Sequence, residues 1–266
     1  MKQFLWVLLL GSLVGVWSFG RFSESVIAEP PVPARSLPSG PLGETVRLGQ
    51  QLVERTATHP LTKPFVGNDL NCTSCHLKNG TDRKAASFIG VAAAYPAWSP
   101  REQQVITLED QLLNCFMRSC NGIRPPQGGR VSVAIAAYIT WLSSDQPIRM
   151  NAERPVGPNG VPPLKRQAAD ADAKRGATLF ASRCASCHGK DGRGDRDNPP
   201  VWGTRSFNDG AGLANVVQLA SWLKVAMPLG EANLTEQEAL DIAAFVNSHE
   251  RPKFRLADHL PATPQN

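Results

Sequence analysis

Two five-residue segments decide the fold: Cys72-Thr73-Ser74-Cys75-His76 and Cys184-Ala185-Ser186-Cys187-His188. Two thiols at the C-x-x-C spacing add to the two vinyl groups on one edge of a haem, and the next residue, a histidine, then lies under the iron as its proximal ligand. A pair of redox or zinc C-x-x-C sites is the alternative, but it gives no reason for a histidine after both. We therefore expect two covalently bound haem c groups. Their predicted attachment residues are Cys72, Cys75, Cys184 and Cys187, and their proximal ligands are His76 and His188.

The sequence around the two motifs is also repeated. Cys72 and Cys184 are 112 residues apart, residues 47–52 resemble residues 174–179, and residues 135–139 resemble residues 242–246. A class I cytochrome c domain has its parts in the order helix, haem motif, loop, distal ligand and closing helix. We predict an all-α fold with two class I cytochrome c domains in tandem. Gly49 and Gly176 are expected where the opening and closing helices cross closely, or are ordinary helix glycines.

Composition shifts divide the chain into five parts. The predicted parts are a signal peptide (1–28), an N-terminal cytochrome c domain (29–150), a linker rich in proline and glycine (151–169), a C-terminal cytochrome c domain (170–255) and a polar tail (256–266).

The N-terminus is typical of an exported protein. Lys2 precedes the apolar run 4–19, and small residues before Glu29 predict cleavage after Ala28. An uncleaved membrane anchor is the alternative, and it is the only membrane association we expect. In a bacterium the mature chain would be periplasmic.

The composition excludes two broad classes of protein. With 42% hydrophobic and 19% charged residues, the chain is not intrinsically disordered. The net charge is +5, but lysine and arginine are scattered, so no nucleic-acid partner is expected.

The distal iron ligands follow from the repeat. Met227 lies 39 residues after His188 and precedes a proline, as a thioether ligand on a loop would. The same offset from His76 falls on Cys115, whose thiolate would lower the iron potential. Met117 or Met150 as the ligand remains an alternative. So does a Cys115–Cys120 disulfide, which requires the helix to end near Ser119.

Further segments of both halves carry a family resemblance: 67–72, 95–96, 107–110, 114–122, 199–203, 206–212, 227–230 and 244–248. In these segments the chain resembles the dihaem thiosulfate dehydrogenases, periplasmic enzymes that couple two thiosulfates into tetrathionate. The resemblance implies that Cys115 is the distal ligand of an active-site haem in the first domain. It implies that the second haem, with Met227 as its distal ligand, relays electrons to an external acceptor such as a small cytochrome c.

The resemblance also suggests substrate residues. Thiosulfate is a dianion, so its site needs cations and hydrogen-bond donors. Arg101 and Arg118 are the predicted anion clamps, and Ser119 and Asn208 are the predicted donors. The alternatives are that Arg118 is a surface helix residue and Arg101 an ordinary loop charge.

Three positions depart from the family pattern. Gln111 stands where members often have arginine, and Cys120 stands where they commonly have methionine. Because of these two departures, the resemblance does not determine the affinity for the substrate or even the identity of the substrate. Ala226 excludes a lysine ligand next to Met227.

Cys115 is expected to leave the iron and attack substrate as a nucleophile, forming an adduct that a second thiosulfate resolves. Two other functions compete with this enzyme. One is a dihaem electron-transfer cytochrome without catalysis of its own. The other is the cysteine-ligated dihaem subunit of the periplasmic sulfur-oxidation complex, which loads thiosulfate onto a carrier protein.

Overall fold

The computed structural model describes residues 36–262. The predicted signal peptide therefore lies outside the described residues, as do the last four residues of the tail. Among residues 36–262, no helix has the length and apolar character needed to cross a bilayer.

The described chain is helical, with one short β-ribbon. The α-helices are α1 (Gly40–Glu54), α2 (Leu77–Gly80), α3 (Leu108–Arg118), α4 (Arg130–Leu142), α5 (Ala173–Arg183), α6 (Ala185–His188), α7 (Val216–Ala226) and α8 (Glu236–Asn247). Single 3-10 turns include Cys72–Ser74 and Leu256–His259. The ribbon pairs β1 (Ala97–Ser99) with β2 (Gln104–Ile106) in antiparallel register, Ala97 opposite Ile106. The repeat did not predict this ribbon.

A close helix crossing recurs in each half of the chain. Helix α1 packs on α4 in the first half, and α5 packs on α8 in the second. A Cβ atom on Gly49 would lie 1.9 Å from the carbonyl oxygen of Ala134, and one on Gly176 would lie 2.0 Å from that of Asp241. No side chain fits at such distances, so the predicted close approach at both glycines is confirmed.

Each half has its own apolar core, and the two cores meet. Leu52 and Ile135 belong to the first core, and Phe180 and Leu240 to the second. Ala85, which follows the first haem motif in the chain, is nevertheless part of the second core. The halves are therefore in direct contact beside the first motif.

The segments outside the two helix sets pack against them. Within the predicted linker, the Asn159 side chain donates a hydrogen bond to the Ile89 carbonyl, and the Leu164 amide donates to Ser221 Oγ on α7. After α8 the chain turns back to the first half, where the Arg124 amide donates to the His259 carbonyl at 2.7 Å. The first residues of the predicted tail are thus held against the first half.

Candidate active site

Both motif histidines are oriented in the same way. Nδ1 of His76 donates to the Ala86 carbonyl at 2.5 Å, and Nδ1 of His188 donates to the Pro199 carbonyl at 2.8 Å. A carbonyl can only accept, so each Nδ1 carries the proton and each Nε2 keeps a lone pair for a metal. Burial also lowers the pKa of His76, which keeps its ring neutral. These contacts fit a proximal histidine in both halves.

The attachment thiols differ in exposure between the halves. Cys72 and Cys75 are half-buried, and burial raises the pKa of their thiols to about 11 and about 12. Cys184 is half-buried, whereas Cys187 is exposed. Cys184 and Cys187 would hold the second haem, and the exposure of Cys187 places this attachment residue at the surface of the described chain.

Cys115 lies inside helix α3, which begins with a capping box between Thr107 and Asp110. Nε2 of Gln111, one turn earlier, donates to Cys115 Sγ at 3.6 Å. Burial raises the pKa of the Cys115 thiol, and the Gln111 hydrogen bond and the charges of Arg101 and Arg118 partly oppose that rise. Gln111 therefore contacts the Cys115 sulfur directly, and the two predicted clamps lie near enough to act on it through their charge.

The two arginines converge on one backbone oxygen. Nη1 of Arg101 and Nη1 of Arg118 both donate to the Gly210 carbonyl, at 3.3 and 3.4 Å. Arg101 is exposed. The Arg118 side chain is only 14% exposed and forms an ion pair with Glu102 at 3.0 Å, so it is not a surface helix residue. Its Nε is buried without a hydrogen-bond partner among the described residues.

The structure places the two predicted hydrogen-bond donors differently. Ser119 is the half-buried C-cap of α3 and follows Arg118 directly. Asn208 is fully buried, and its Nδ2 donates to the Met117 carbonyl at 2.9 Å and to Asn121 Oδ1 at 3.0 Å. Both amide hydrogens are thus engaged within the protein. Asn208 therefore joins the second half to the end of α3, and its side-chain amide has no free hydrogen to donate to a substrate.

The structure also shows where the alternative sulfur ligands of the first half lie. Met150 is 62% exposed, and Met117 is buried. Cys115 and Cys120 are both free thiols although α3 ends at Arg118, so the alternative disulfide is not formed. In the second half Met227 caps the C-terminus of α7 and packs against the second core.

Three residues near the site carry no signal in the sequence. Glu102 pairs with Arg118, and Phe254 places its ring 4.1 Å below the same guanidinium. Nε1 of Trp222, on α7, donates to the Cys75 carbonyl at 3.0 Å and so joins the second half to the first haem motif. Each of these contacts joins residues at least 16 positions apart, which a local pattern does not record.

Comparisons with known proteins agree with this architecture. Residues 63–148 match the family model described as "SoxA/TsdA, cytochrome c domain", and residues 173–250 match the model described as "Cytochrome c". The thiosulfate dehydrogenase of Allochromatium vinosum is 38% identical over 245 residues, which cover 85% of this chain and 88% of that one. The chain belongs to the thiosulfate dehydrogenase family. The family member of Stutzerimonas stutzeri is 34% identical over 229 residues, 84% of this chain and 73% of that one.

A solved structure of the same family has the same fold. It is the thiosulfate dehydrogenase (TsdBA) of Marichromatium purpuratum, with a TM-score of 0.77 and 40% identity over 83% of this chain. The match covers 49% of that chain, so the present chain spans about half the length of that protein. Membership confirms the resemblance and the tandem cytochrome c fold. It also identifies the chain as an enzyme of this family with two covalent haem c groups.

Proposed function

We propose that the chain joins two thiosulfates into one tetrathionate at the first haem, in the periplasm. Two electrons then leave through the second haem to an external acceptor such as a small cytochrome c. The observation that carries the proposal is the convergence of Arg101 and Arg118 on the Gly210 carbonyl beside the sulfur of Cys115. This arrangement concentrates positive charge next to the one thiol that the repeat places opposite a proximal histidine.

The residues that would hold the two haems are those of the two motifs, with Cys115 and Met227 as distal ligands. When bound, the two haems would supply two one-electron redox centres, which is the capacity that coupling two thiosulfates requires. The exposed Cys187 and the Trp222–Cys75 hydrogen bond support an electron path from the first half through the second half to the surface.

Cys115 would provide the nucleophile. Its thiolate sulfur would form a bond to the terminal sulfur of the first thiosulfate, and the two electrons lost in this oxidation would pass on to the external acceptor. The terminal sulfur of the second thiosulfate would then attack the adduct sulfur that is bonded directly to Cys115 Sγ, with the Cys115 thiolate as the leaving group. The bond to Cys115 breaks, tetrathionate leaves, and the thiolate is restored. The hydrogen bond that Gln111 donates to the Cys115 sulfur would stabilise the thiolate.

The arginines would offset the repulsion between the two substrates. Two dianions held together repel strongly in a site of low dielectric constant. Arg118 is largely buried and Arg101 is exposed, which suits Arg118 to the inner anion and Arg101 to the arriving one. A hydrogen bond to a charged group contributes about 1.5–3 kcal/mol.

A turnover assay with product analysis tests the proposal. The isolated dihaem protein is mixed with thiosulfate and ferricyanide, and free tetrathionate is quantified against the ferricyanide reduced. We expect one tetrathionate for two electrons. Absence of turnover by a protein that carries both haems would favour a pure electron-transfer cytochrome. Thiosulfate consumption that requires an added carrier protein would favour the sulfur-oxidation complex.

A further inference from the structure

The segment after the second helix set, residues 252–260, crosses to the first half and is named the C-terminal strap. Most of its side chains are exposed, including Arg255, Leu256 and Leu260. Its two aromatic rings lie further inside: Phe254 is half-buried and His259 is buried. The Phe254 ring lies on Arg118, the arginine that the proposed site depends on, and the His259 ring stacks on Phe254.

Phe254 contacts Arg118 through the face of its ring. The guanidinium carbon lies 4.1 Å from the ring centroid, which is cation–π geometry. The ring also lies against Gly210, where an added Cβ would be 2.6 Å from its nearest carbon. Gly210 supplies the carbonyl that both arginines bind. Phe254 therefore contacts both Arg118 and the residue that holds it.

His259 fixes the Phe254 ring. The two rings are stacked, with centroids 4.9 Å apart and planes 12° from parallel. His259 is itself held, because its Nδ1 donates to the Gly122 carbonyl at 2.7 Å. The Phe254 amide donates to Asp209 Oδ1 at 2.7 Å, which ties the strap to the loop that contains Gly210.

Arg118 is held at its end rather than along its length. Glu102 and the Gly210 carbonyl bind its two terminal nitrogens, while Nε has no partner among the described residues. An arginine side chain has several rotatable bonds and loses substantial conformational entropy when it is fixed. The flat face of Phe254 restricts the plane of the guanidinium, which the two terminal contacts alone do not.

We propose that the C-terminal strap completes the active site of the first half, with Phe254 as a positioning residue for Arg118 and His259 as the residue that holds Phe254. This inference rests on the function proposed above. It adds to that function a part of the anion site that comes from the far end of the chain.

The test is a set of variants analysed by steady-state kinetics with thiosulfate: F254L, F254Y, H259Q, R118A and the double variant F254L/R118A. Leu keeps the apolar volume but removes the aromatic face, and we expect F254L to raise the KM for thiosulfate roughly three- to ten-fold. Tyr keeps the face and should restore a KM near that of the wild type. H259Q keeps a donor for the Gly122 carbonyl but loses the stacked ring, so its KM should rise in the same direction by less.

The double variant separates positioning from general packing. If Phe254 acts through Arg118, adding F254L to R118A leaves the KM of R118A unchanged. Leu260→Ala, an exposed change on the same strap, is the matched control and should match the wild type. Unchanged KM in both F254L and H259Q, or effects of F254L and R118A that add, would overturn the proposal. A wild-type protein that does not oxidise thiosulfate would instead overturn the proposed function.

Discussion

The distal sulfurs of the two halves lie at the same distance along the chain but in different local structure. Cys115 and Met227 each follow their motif histidine by 39 residues. Helix α3 begins 32 residues after His76, whereas α7 begins 28 residues after His188, about one helical turn earlier. Cys115 therefore lies inside its helix, and Met227 lies just beyond the end of its own.

This shift gives the two sulfurs different neighbours. A residue within a helix has partners one turn away on the same face, and Gln111 occupies that position for Cys115. Arg101 and Arg118 add positive charge there. Met227 instead packs against the apolar second core. The comparison agrees with the proposal that the first half binds the anionic substrate and the second half transfers electrons.

Replacing Cys115 by Met should have the largest effect, because it gives the first half the thioether sulfur that the second half has at the same position. We expect both haems to attach and the potential of the first to rise, since a thioether replaces a thiolate. Thiosulfate oxidation should fall by about a hundred-fold or more, because the nucleophile is gone. Haem content, a spectroscopic redox titration and turnover are the measurements. Cys120→Ala, a change at the neighbouring buried thiol, is the control. Near-normal turnover in the Cys115 variant would contradict the account.

Met227→Ala examines the other half. Without its distal thioether the second haem should have a lower potential and pass electrons on more slowly. We expect kcat to fall while the KM for thiosulfate stays within about two-fold of the wild type. Stopped-flow reduction of the two haems would locate the delay. A large rise in KM with normal electron transfer between the haems would show that the two halves do not divide the work in this way.

The charges around Cys115 should set the KM for thiosulfate. Loss of one charge-assisted contact should raise the KM by about ten-fold in Arg101→Ala and in Arg118→Ala. Gln111→Arg should lower the KM, because it adds a cation one turn from the sulfur. Arg193→Ala, an exposed change beside the second motif, is the control in which no effect is expected. The measurement is KM at constant ionic strength, and equal KM values in all four variants would place the anion site elsewhere.

The smallest expected difference concerns acid stability. At the crossing of its two helices the first half has Ala134, whereas the second half has Asp241, which accepts hydrogen bonds from Arg175, Gln237 and the Asp172 amide. Burial raises the pKa of Asp241, but these contacts outweigh it and hold the pKa below its usual value. The stabilisation is therefore present above the unfolded-state pKa, about 4, and is lost as the pH falls through the lower folded-state pKa.

Asp241→Asn should remove that part of the pH dependence. Thermal unfolding of the wild type and the variant from neutral to acidic pH gives the comparison. We expect the variant to be less stable at neutral pH and the two melting curves to converge in acid. Other carboxyls with lowered pKa values, such as Asp195 and Asp209, are common to both proteins and cancel in the difference. A difference in melting temperature that stays the same at every pH would rule out the charge of Asp241 as the source of that difference.

Much of the fold was predictable because its determinants are local or repeated. The two motifs fix the covalent chemistry within five residues, and the repeat located the helix crossings at Gly49 and Gly176. The same repeat located Cys115, whose arginine neighbours were inferred from the family resemblance. These are properties of short segments, so the sequence records them directly.

The remaining features depend on contacts between distant residues. Gly210 accepts from Arg101 and Arg118 across about a hundred residues of chain, and Phe254 reaches Arg118 from the far end. Asn208 matched a family segment, but its burial and internal hydrogen bonds became visible only in three dimensions. Such contacts are set by how the second half docks on the first, and no periodicity in the sequence encodes that docking.

If the sulfur of Cys115 reacts with thiosulfate, the covalent adduct can be trapped on that residue. The dihaem protein is treated with thiosulfate and a limited amount of oxidant, quenched in acid, digested and analysed by mass spectrometry. We expect one thiosulfate-derived group on the peptide that contains Cys115, and its loss when a second portion of thiosulfate is added before the quench. An unmodified Cys115 in a protein that still forms tetrathionate, or an adduct on Cys120 instead, would contradict this role of Cys115.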